Sequence, residues 1–242
     1  MNSSSLPFTI HIFHPRAVLI QWDQLPSASL LQEMSSFKNV LERKFKGKCR
    51  ITIAYQSLLI QFKTDLNSID RLKKQLFKLY NSRDLTPAPI SKHWIIPVCY
   101  EKIFAFDLSL VSEQLNLGEE EIIELHTQGE YLVYFVGFLP GFLYLLGLDS
   151  RLQLPRKSEP ILQVPSGSVA IGGNQTGIYP STSPGGWHVI GQTPISLFKP
   201  SQKPHCFAHS GDTLSFKSIS KEEFLTIQKQ IEQNKFSLEK YD

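Results

Sequence analysis

The sequence predicts an α+β N-terminal domain over residues 1–88, followed by a mostly-β barrel domain over residues 89–242. Three observations lead to this prediction. In the first part, strand-like and helix-like apolar periodicities follow one another in the order ββαββα. In the second part, ten of the 14 glycines lie between Gly137 and Gly191, a composition that disfavours helices. Between the two parts, residues 81–91 are polar and contain two prolines, as expected of a linker.

The N-terminal domain is expected to be a small sandwich of one sheet and two helices. Apolar residues alternate in four short segments, which predicts strands at residues 8–12, 18–22, 51–55 and 58–62. Apolar residues recur at helical spacing in residues 30–41 and 69–79. Packing both helices on one face of an antiparallel sheet buries both sets of apolar side chains. This domain carries no catalytic motif.

The second domain is expected to be a closed or nearly closed β-barrel with one helical insertion. Apolar, β-branched and aromatic residues predict strands at residues 93–98, 131–136, 162–164, 169–171, 188–190, 195–198 and 213–217. Apolar spacing predicts two short helices, at residues 108–115 and 119–125. A capping box from Ser220 to Glu223 predicts a C-terminal helix that extends to about Gln233.

Composition and charge argue against several classes of protein. The net charge of +3, from 25 basic and 22 acidic residues, is too small to indicate nucleic-acid binding. The three cysteines form no CxxC pair, which argues against a disulfide scaffold or a four-thiolate zinc site. His205, Cys206 and His209 lack a carboxylate partner for a metal. No signal peptide and no apolar stretch of about 18 residues is evident. We therefore expect a cytoplasmic protein without a metal site.

The glycine-rich region holds the side chains that we expect to form a site. The pairs Gly172-Gly173 and Gly185-Gly186 allow backbone N–H groups to come close to an anion or a carbonyl oxygen. Because both turns bracket short strands, we expect them to converge on one concave pocket at a barrel rim. The polar and aromatic side chains in or near these turns are Tyr144, Arg156, Ser168, Gln175, Thr176, Tyr179, Trp187 and His188. In the alternative interpretation, the glycines only turn the chain, and Arg156 and His188 only tie loops together.

Motifs for nucleotide binding and nucleophilic catalysis are missing from the sequence. GGNQTG (residues 172–177) lacks the Lys-Ser/Thr of a phosphate loop, and there is no GxGxxG. There is no Gly-x-Ser-x-Gly elbow, and Cys99 ends an apolar strand, which indicates a buried thiol rather than a nucleophile. If ATP takes part in the reaction, its principal site is therefore expected on another chain.

Several motifs in series resemble those of one known family. They are IPVCY (96–100), GFLPGFLYLLGLD (137–149), LPR (154–156), VPSGSVAIGGNQTGIYP (164–180), SPGGWHVIGQTP (183–194) and LFKP (197–200). The chain resembles the family of 5-oxoprolinase B subunits, which includes sporulation kinase inhibitors of the KipI type and proteins labelled allophanate hydrolase subunit 1. The resemblance is strongest over residues 96–216.

The resemblance implies that the second domain is a cyclophilin-like β-barrel and that the chain works in a complex. The implied partners are the 5-oxoprolinase C subunit, of the KipA type, and the A subunit, of the LamB/YcsF type. The implied reaction is ATP-dependent hydrolysis of 5-oxo-L-proline to L-glutamate, with ATP bound at a site on, or shared with, a partner subunit. Two alternatives are open at this point: an inhibitor of a sensor histidine kinase, and a component of a urea or allophanate amidohydrolase system.

For the implied reaction, the candidate residues have the following expected roles. His188, Gln175 and Thr176 are expected to be catalytic. His188 would move a proton or polarise the carbonyl group, and the other two would hydrogen-bond the ring amide or the carboxylate. Arg156 would pair with the carboxylate, and Trp187 would form an apolar wall. The remaining substrate-binding candidates are Tyr144, Ser168, Tyr179, Gly172, Gly173, Gly185 and Gly186.

Overall fold

The computed structural model describes residues 6–83 and 92–241. The chain divides into two compact units, one within residues 1–89 and the other within residues 90–242. The predicted boundary between residues 88 and 89 and most of the predicted linker lie outside the described residues. Each unit has its own sheet and its own apolar core, so each is described by itself.

The first unit is a four-stranded antiparallel sheet with two helices. Its elements, in the predicted order ββαββα, are β1 (Phe8–His14), β2 (Ala17–Trp22), α1 (Ala28–Lys44), β3 (Cys49–Ala54), β4 (Ser57–Phe62) and α2 (Ile69–Asn81). The strand order is β1-β2-β4-β3, and all three strand pairs are antiparallel. Ser27 and Ser68 each accept a hydrogen bond from a backbone N–H in the first helical turn, which fixes the start of α1 and of α2.

Aromatic side chains form much of the core of the first unit. Phe8 lies between Trp22, Phe37 and Tyr80, with ring centroids 4.9 to 5.8 Å away. The carboxylate of Glu33 accepts hydrogen bonds from Trp22 Nε1 (2.7 Å) and from the Tyr80 hydroxyl. Burial, together with the bond to Glu33, raises the pKa of the Tyr80 hydroxyl. The polar atoms of these two aromatic residues are therefore satisfied inside the unit.

The second unit is built on a mixed eight-stranded sheet that forms a half-barrel with few helices. Its strands are β5 (His93–Val98), β6 (Glu130–Val136), β7 (Leu143–Leu146), β8 (Ile161–Val164), β9 (Ser168–Gly172), β10 (Gln175–Ile178), β11 (Ser183–Gly185), β12 (His188–Gln192), β13 (Thr213–Ser218) and β14 (Lys240–Tyr241). Its helices are α3 (Leu108–Leu115), α4 (Glu119–Gln128) and α5 (Lys221–Glu232), with one short 3-10 turn at Ser150–Leu152.

The sheet of the second unit combines parallel and antiparallel pairing. Its order is β12-β9-β10-β7-β6-β13-β5-β14, and β8 and β11 form a separate two-stranded ribbon. β13 pairs in parallel with β5, whereas it pairs antiparallel with β6. One bridge also links β12 to the chain just after β5: Cys99 and Gln192 exchange backbone hydrogen bonds of 2.8 and 2.9 Å. One face of the curved sheet packs the main apolar core of this unit.

Most predicted elements of the second unit are present, and the exceptions have physical reasons. No strand forms at residues 195–198, which lie within the described part of the chain. Leu197 is buried by packing on the core, and Phe198 makes a single bridge to Cys206. The strands β7, β10, β11 and β14 are not predicted, because they lie in uniformly apolar, glycine-containing or polar segments without a clear alternation. Ser220 caps α5 as predicted.

Candidate active site

The two faces of the sheet divide the predicted site residues into two groups. Successive residues of a strand point to opposite faces. In β9 the side chains of Val169 and Ile171 pack in the main core, whereas Ala170 packs in a cluster with Trp187 on the other face. We term the core side the inner face and the Trp187 side the outer face.

Trp187 belongs to an aromatic cluster on the outer face. Its ring centroid lies 5.7 Å from that of Phe142 and 5.9 Å from that of Tyr144, and Tyr179 packs on Phe142 at 5.1 Å. Burial raises the pKa of the hydroxyls of Tyr144 and Tyr179, and the positive charge of Arg156 acts in the opposite direction. Both tyrosines are therefore neutral near pH 7, and each offers an aromatic ring and a hydroxyl group.

Two of the four predicted glycines, Gly172 and Gly185, make room for these aromatic rings. A Cβ atom at Gly172 would lie 2.6 Å from the Trp187 ring, and a Cβ atom at Gly185 would overlap the Tyr179 side chain. A residue without a side chain is therefore needed where these rings lie on the backbone. Gly173, with a φ of +67°, is the first residue of the two-residue turn between β9 and β10.

Arg156 is exposed and lies over the aromatic cluster. Its guanidinium carbon is 5.6 Å from the centroid of the Trp187 ring, which is a cation–π distance. Within residues 6–83 and 92–241, no carboxylate forms an ion pair with Arg156. A guanidinium presents a fork of N–H donors that matches the two oxygens of a carboxylate. The geometry therefore leaves this fork open to an acidic ligand.

The Arg156 loop comprises residues 154–157. Hydrogen bonds to the backbone of Leu154 and Pro155 hold the part of the loop that precedes Arg156. Leu154 and Gly173 exchange backbone hydrogen bonds of 2.6 and 3.1 Å. The carbonyl oxygen of Pro155 accepts a 3.0 Å hydrogen bond from Nε2 of His188. These contacts tie the loop to the turn between β9 and β10 and to the start of β12.

A buried ion pair holds the part of the Arg156 loop that follows Arg156. Nζ of Lys157 lies 2.7 Å from both carboxylate oxygens of Asp107, and the backbone N–H of Lys157 donates to the Gly186 carbonyl oxygen at 2.8 Å. Asp107 also accepts a 2.7 Å hydrogen bond from the backbone N–H of Val189. The exposed fractions of the two charged side chains are only 14% and 10%, so each is largely shielded from water and is satisfied by the other.

The roles of Asp107 and Lys157 are not predicted from the sequence. The two residues are 50 positions apart, so no local pattern joins them. Asp107 precedes α3, where an acidic residue is typical of a helix cap, and Lys157 directly follows the LPR motif. Asp107 makes no side-chain capping bond, because its carboxylate is directed to Lys157 and to β12.

His188 lies on the inner face, next to the Arg156 loop. It pairs across the sheet with Ile171 of the main core, on the face opposite to Val189 and Trp187. Because Nε2 donates to a carbonyl oxygen, the neutral ring carries its proton on Nε2, and Nδ1 is an acceptor. Nδ1 is buried and has no hydrogen-bond partner among the described residues. The observed contact of His188 is therefore with the loop that carries Arg156.

Thr176 belongs to a buried hydrogen-bond network on the inner face. Its hydroxyl donates to the Ala170 carbonyl oxygen (3.2 Å) and accepts from Nε2 of His126 (2.9 Å), whose Nδ1 accepts from the Tyr100 hydroxyl (2.8 Å). Burial lowers the pKa of His126 to about 3 and raises the pKa of Tyr100 well above its usual range. The hydroxyl of Thr176 is thus engaged inside the core, away from the outer face.

Gln175 and Ser168 are buried near the starts of their strands. Gln175 precedes Thr176 in β10 and therefore points to the outer face, as Gly177 does. Ser168 begins β9 and shares the face of Ala170. The structure thus brings Arg156, Trp187, Tyr144, Tyr179 and Gln175 to the outer face, and it places Thr176 and His188 on the inner face.

The sequence is similar to those of known proteins along most of its length. Residues 8–208 match the family described as carboxyltransferase domain, subdomain C and D. The 5-oxoprolinase B subunit of Escherichia coli is 38% identical over 187 residues, which are 77% of this chain and 82% of that protein. The chain belongs to the family of 5-oxoprolinase B subunits. A second 5-oxoprolinase B subunit, from Bacillus subtilis, is 47% identical over 129 residues, so the match spans 53% of this chain and about half, 54%, of that relative.

The fold of this member of the 5-oxoprolinase family also occurs in a solved enzyme structure. The urea amidolyase of Kluyveromyces lactis aligns with 97% of the chain at a TM-score of 0.82 and 17% identity, and the match covers 16% of that longer protein. At this identity the similarity concerns the fold alone, a mixed sheet that forms a half-barrel. The curated relatives carry the 5-oxoprolinase name, so the kinase-inhibitor and amidohydrolase alternatives are not favoured.

Metal-binding and membrane-spanning features are absent from the part of the chain that the structure describes. No three side chains of His, Cys, Asp or Glu in residues 6–83 and 92–241 lie together as a metal site would require. No helix in those ranges is both long enough and apolar enough to cross a bilayer.

Proposed function

We propose that the chain is a non-autonomous subunit of an ATP-dependent 5-oxoprolinase, which hydrolyses 5-oxo-L-proline to L-glutamate. The observation that carries this proposal is the 38% identity with the Escherichia coli 5-oxoprolinase B subunit over 77% of the chain. The outer face supports it, because an exposed guanidinium over an aromatic surface suits a small ring that bears one carboxylate.

The proposed reaction requires more than this chain. The ring amide of 5-oxoproline is a poor electrophile, and phosphorylation of its oxygen by ATP would make attack by water feasible, with glutamate, ADP and phosphate as products. The sequence has no phosphate loop. We therefore assign ATP to a site on, or shared with, a partner subunit. The proposed partners are the C subunit, of the KipA type, and the A subunit, of the LamB/YcsF type.

In this proposal Arg156 binds the substrate carboxylate. The loop that carries Arg156 is anchored on both sides, so its backbone is already ordered before the substrate arrives. Binding then costs less conformational entropy than it would for an arginine on an unanchored loop. The partly exposed Tyr144 provides an aromatic surface for the five-membered ring, and Trp187, which is largely buried, packs against Tyr144.

The other candidate residues take roles that follow from the face on which they lie. Gln175 points to the outer face, and we assign it the hydrogen bond to the ring amide or the carboxylate. His188 acts as a positioning residue, because its Nε2 holds the carbonyl group of Pro155 beside Arg156. Thr176 has a structural role in the core. The residues that shape the outer face are Tyr179, Ser168, Gly172, Gly173, Gly185 and Gly186.

We also propose a division into domains at residues 1–88 and 89–242, a cyclophilin-like barrel in the second domain, and a cytoplasmic location. The two compact units, within residues 1–89 and 90–242, support the division. The bridge between Cys99 and Gln192 supports the barrel. The three cysteines carry free thiols, which suits a reducing compartment.

The role of Arg156 can be tested in the assembled complex of the three proteins. Arg156→Gln removes the charged fork, so we expect the KM for 5-oxoproline to rise about tenfold or more, since a charge-assisted hydrogen bond is worth about 1.4 kcal/mol or more. Arg156→Lys keeps the charge without the fork and should give an intermediate KM. The measurement is glutamate formation as a function of 5-oxoproline concentration.

Arg151 provides a matched control. It is an exposed arginine five positions earlier whose guanidinium already pairs with Asp149, so Arg151→Gln should leave the KM unchanged. His188→Ala should raise the KM in the wild-type background but add little to Arg156→Gln, because it acts through Arg156. An unchanged KM in Arg156→Gln would contradict the assignment of the outer face as the substrate site.

A further inference from the structure

The second unit contains a cavity that the proposed reaction does not use. It has a volume of about 410 Å³, within the range of small-molecule sites, and lies between residues 195–207 and residues 231–238. None of its lining residues belongs to the Arg156 loop or to the aromatic cluster of the outer face. The cavity is therefore a separate location from the outer face.

Part of the cavity wall is apolar. The apolar side chains that line it are Ile195, Leu197, Pro204, Phe207, Ile231, Phe236 and Leu238. Leu197 is buried in the main core, and Phe207 and Leu238 pack against that core. The ring of Phe207 also contacts the Trp94 ring at 5.0 Å. The core therefore supports this wall from behind, and a hydrocarbon group placed on it would be removed from water.

The rest of the cavity wall is basic. It is lined by Lys199, Lys203 and His205 together with the uncharged Ser196, Gln202 and Asn234, and no acidic side chain is among the lining residues. Neither lysine forms an ion pair with another described residue. Two ammonium groups without a partner, beside an apolar wall, favour a ligand with a negative charge at one end.

Backbone hydrogen bonds hold the basic segment in a compact shape. Phe198 and Cys206 form a bridge, and the backbone N–H of Lys199 donates to the carbonyl oxygen of His205 at 2.7 Å. The backbone N–H of Gln202 donates to the carbonyl oxygen of Lys199 at 3.1 Å. The basic side chains thus extend from a folded hairpin-like segment rather than from an open loop.

We propose that this cavity binds a small monocarboxylate with an apolar body. The carboxylate lies between the ammonium groups of Lys199 and Lys203, and the apolar body lies on the wall formed by Leu197, Phe207 and Phe236. This proposal stands apart from the proposed function, because the two sites share no residue. Loss of the Arg156 contact would therefore leave this binding unchanged.

Hexanoate is a suitable probe, because it joins one carboxylate to a short hydrocarbon chain. Isothermal titration calorimetry on the full chain should give saturable binding with a Kd of about 1 mM or tighter. Hexanamide and hexylamine have the same hydrocarbon chain without the negative charge, and acetate has the charge without the chain. Each of these three should bind about tenfold more weakly or not at all. Inorganic phosphate tests for a site that accepts any anion.

The variants separate the cavity from the general charge of the surface. The double variant Lys199→Gln with Lys203→Gln should weaken hexanoate binding about tenfold or more, and the corresponding double change to arginine should retain it. As the matched control, Lys102→Gln with Lys217→Gln removes two exposed lysines of the same unit that lie outside the cavity. Ser196→Phe fills the cavity from an exposed lining position and should abolish binding, with folding checked by thermal melting.

The proposal is contradicted if wild-type protein binds no hexanoate at about 10 mM, where a site of the expected affinity would be nearly saturated. It is also contradicted if the double glutamine variant binds hexanoate as wild type does, or if phosphate binds as tightly as hexanoate. Binding that survives in Arg156→Gln but is lost in Ser196→Phe supports it. The outcome is independent of 5-oxoprolinase turnover, so it can be told apart from a failure of the proposed function.

Discussion

His126 shows how burial alone can set the protonation state of a single residue. The side chain is fully buried, and loss of hydration lowers its pKa to about 3. Its two ring nitrogens have fixed and opposite roles, because Nδ1 accepts from Tyr100 while Nε2 donates to Thr176. Of the two neutral tautomers, only the one with its proton on Nε2 satisfies both partners, because the Thr176 hydroxyl donates to the Ala170 carbonyl oxygen.

This neutral histidine makes the stability of the second unit depend on pH. Below about pH 6.5 an unfolded chain binds a proton at His126, but the folded chain does not until about pH 3. The unfolded state therefore gains protons first, and the contribution of His126 to stability is lost as the pH falls through this window. At pH 5 the loss is on the order of 2 kcal/mol.

Urea unfolding of wild type and His126→Gln at pH 7 and pH 5 measures this effect. Wild type should lose on the order of 2 kcal/mol more than the variant, whose amide does not titrate. In the wild-type protein itself, NMR should show no titration of the His126 ring between pH 7.5 and about 4.5. Titration of that ring near pH 6.5 would refute the fully buried, neutral state.

Glycines in the sheet determine where an aromatic ring can lie. Gly172 of β9 lies under the Trp187 ring, whereas a methyl group added at Gly186 would meet no atom closer than 3.6 Å. Gly172→Ala should therefore destabilise the protein by about 1–3 kcal/mol, because the indole has to move out of a packed cluster. Thermal or urea unfolding of the two alanine variants measures the difference.

Gly186→Ala is the matched control for this prediction, since it adds the same methyl group one residue before Trp187. It should change stability by less than about 0.5 kcal/mol. Equal stability of the two variants would show that the Trp187 ring does not depend on Gly172. A loss of stability in Gly172→Ala accompanied by a changed Trp187 fluorescence would support the packing role.

Some of the helices and strands can be predicted from the sequence, and others cannot. The helices and strands of the first unit follow from clear apolar periodicity and match their predicted places. In contrast, β10 contains Gly177, where a side chain would meet the Leu143 carbonyl oxygen at 2.8 Å and the Trp187 ring at 3.0 Å, so its composition resembles that of a turn. The sequence predicts that Gln175 and Thr176 act together, but a strand sends neighbouring side chains to opposite faces.

Contacts between residues that are distant in the sequence are also difficult to predict from it. Arg156, Trp187 and Tyr144 are predicted as site residues, and the structure brings all three to the outer face. The pairing of Asp107 with Lys157 depends on the fold of the whole unit, so no spacing in the sequence reveals it. Sequence patterns therefore identify candidate residues in this segment, but they do not predict the contacts that hold the segment in place.

The proposed function predicts that this chain contributes to activity only in an assembled complex. The purified chain alone should show no 5-oxoproline hydrolysis, because it has no phosphate loop and no complete set of nucleophile and base. Addition of the cognate KipA-type and LamB/YcsF-type partners should restore ATP-dependent formation of glutamate. Coupled measurement of ADP and glutamate in the separate and mixed preparations provides the test.

Omission controls make that experiment specific. Mixtures that lack any one of the three proteins should remain inactive, and a mixture without ATP should form no glutamate. Robust turnover by this chain alone would show that the assignment as a non-autonomous subunit is wrong. Full activity of the two partners without this chain would show the same.

The parallel pairing of β5 with β13 has a consequence for synthesis on the ribosome. His93 lies beside Thr213, so 120 residues separate two neighbours in the finished sheet. At a translation rate of about 5–20 residues per second, β5 waits on the order of ten seconds for its parallel neighbour. During that interval β13 is not available to pair with β5, so the apolar side chains of β5, among them Trp94 and Ile96, are not yet packed as they are in the folded unit. Until translation has passed residue 218, the second unit therefore cannot complete its sheet, and the exposed apolar residues of β5 are open to aggregation or to chaperone binding.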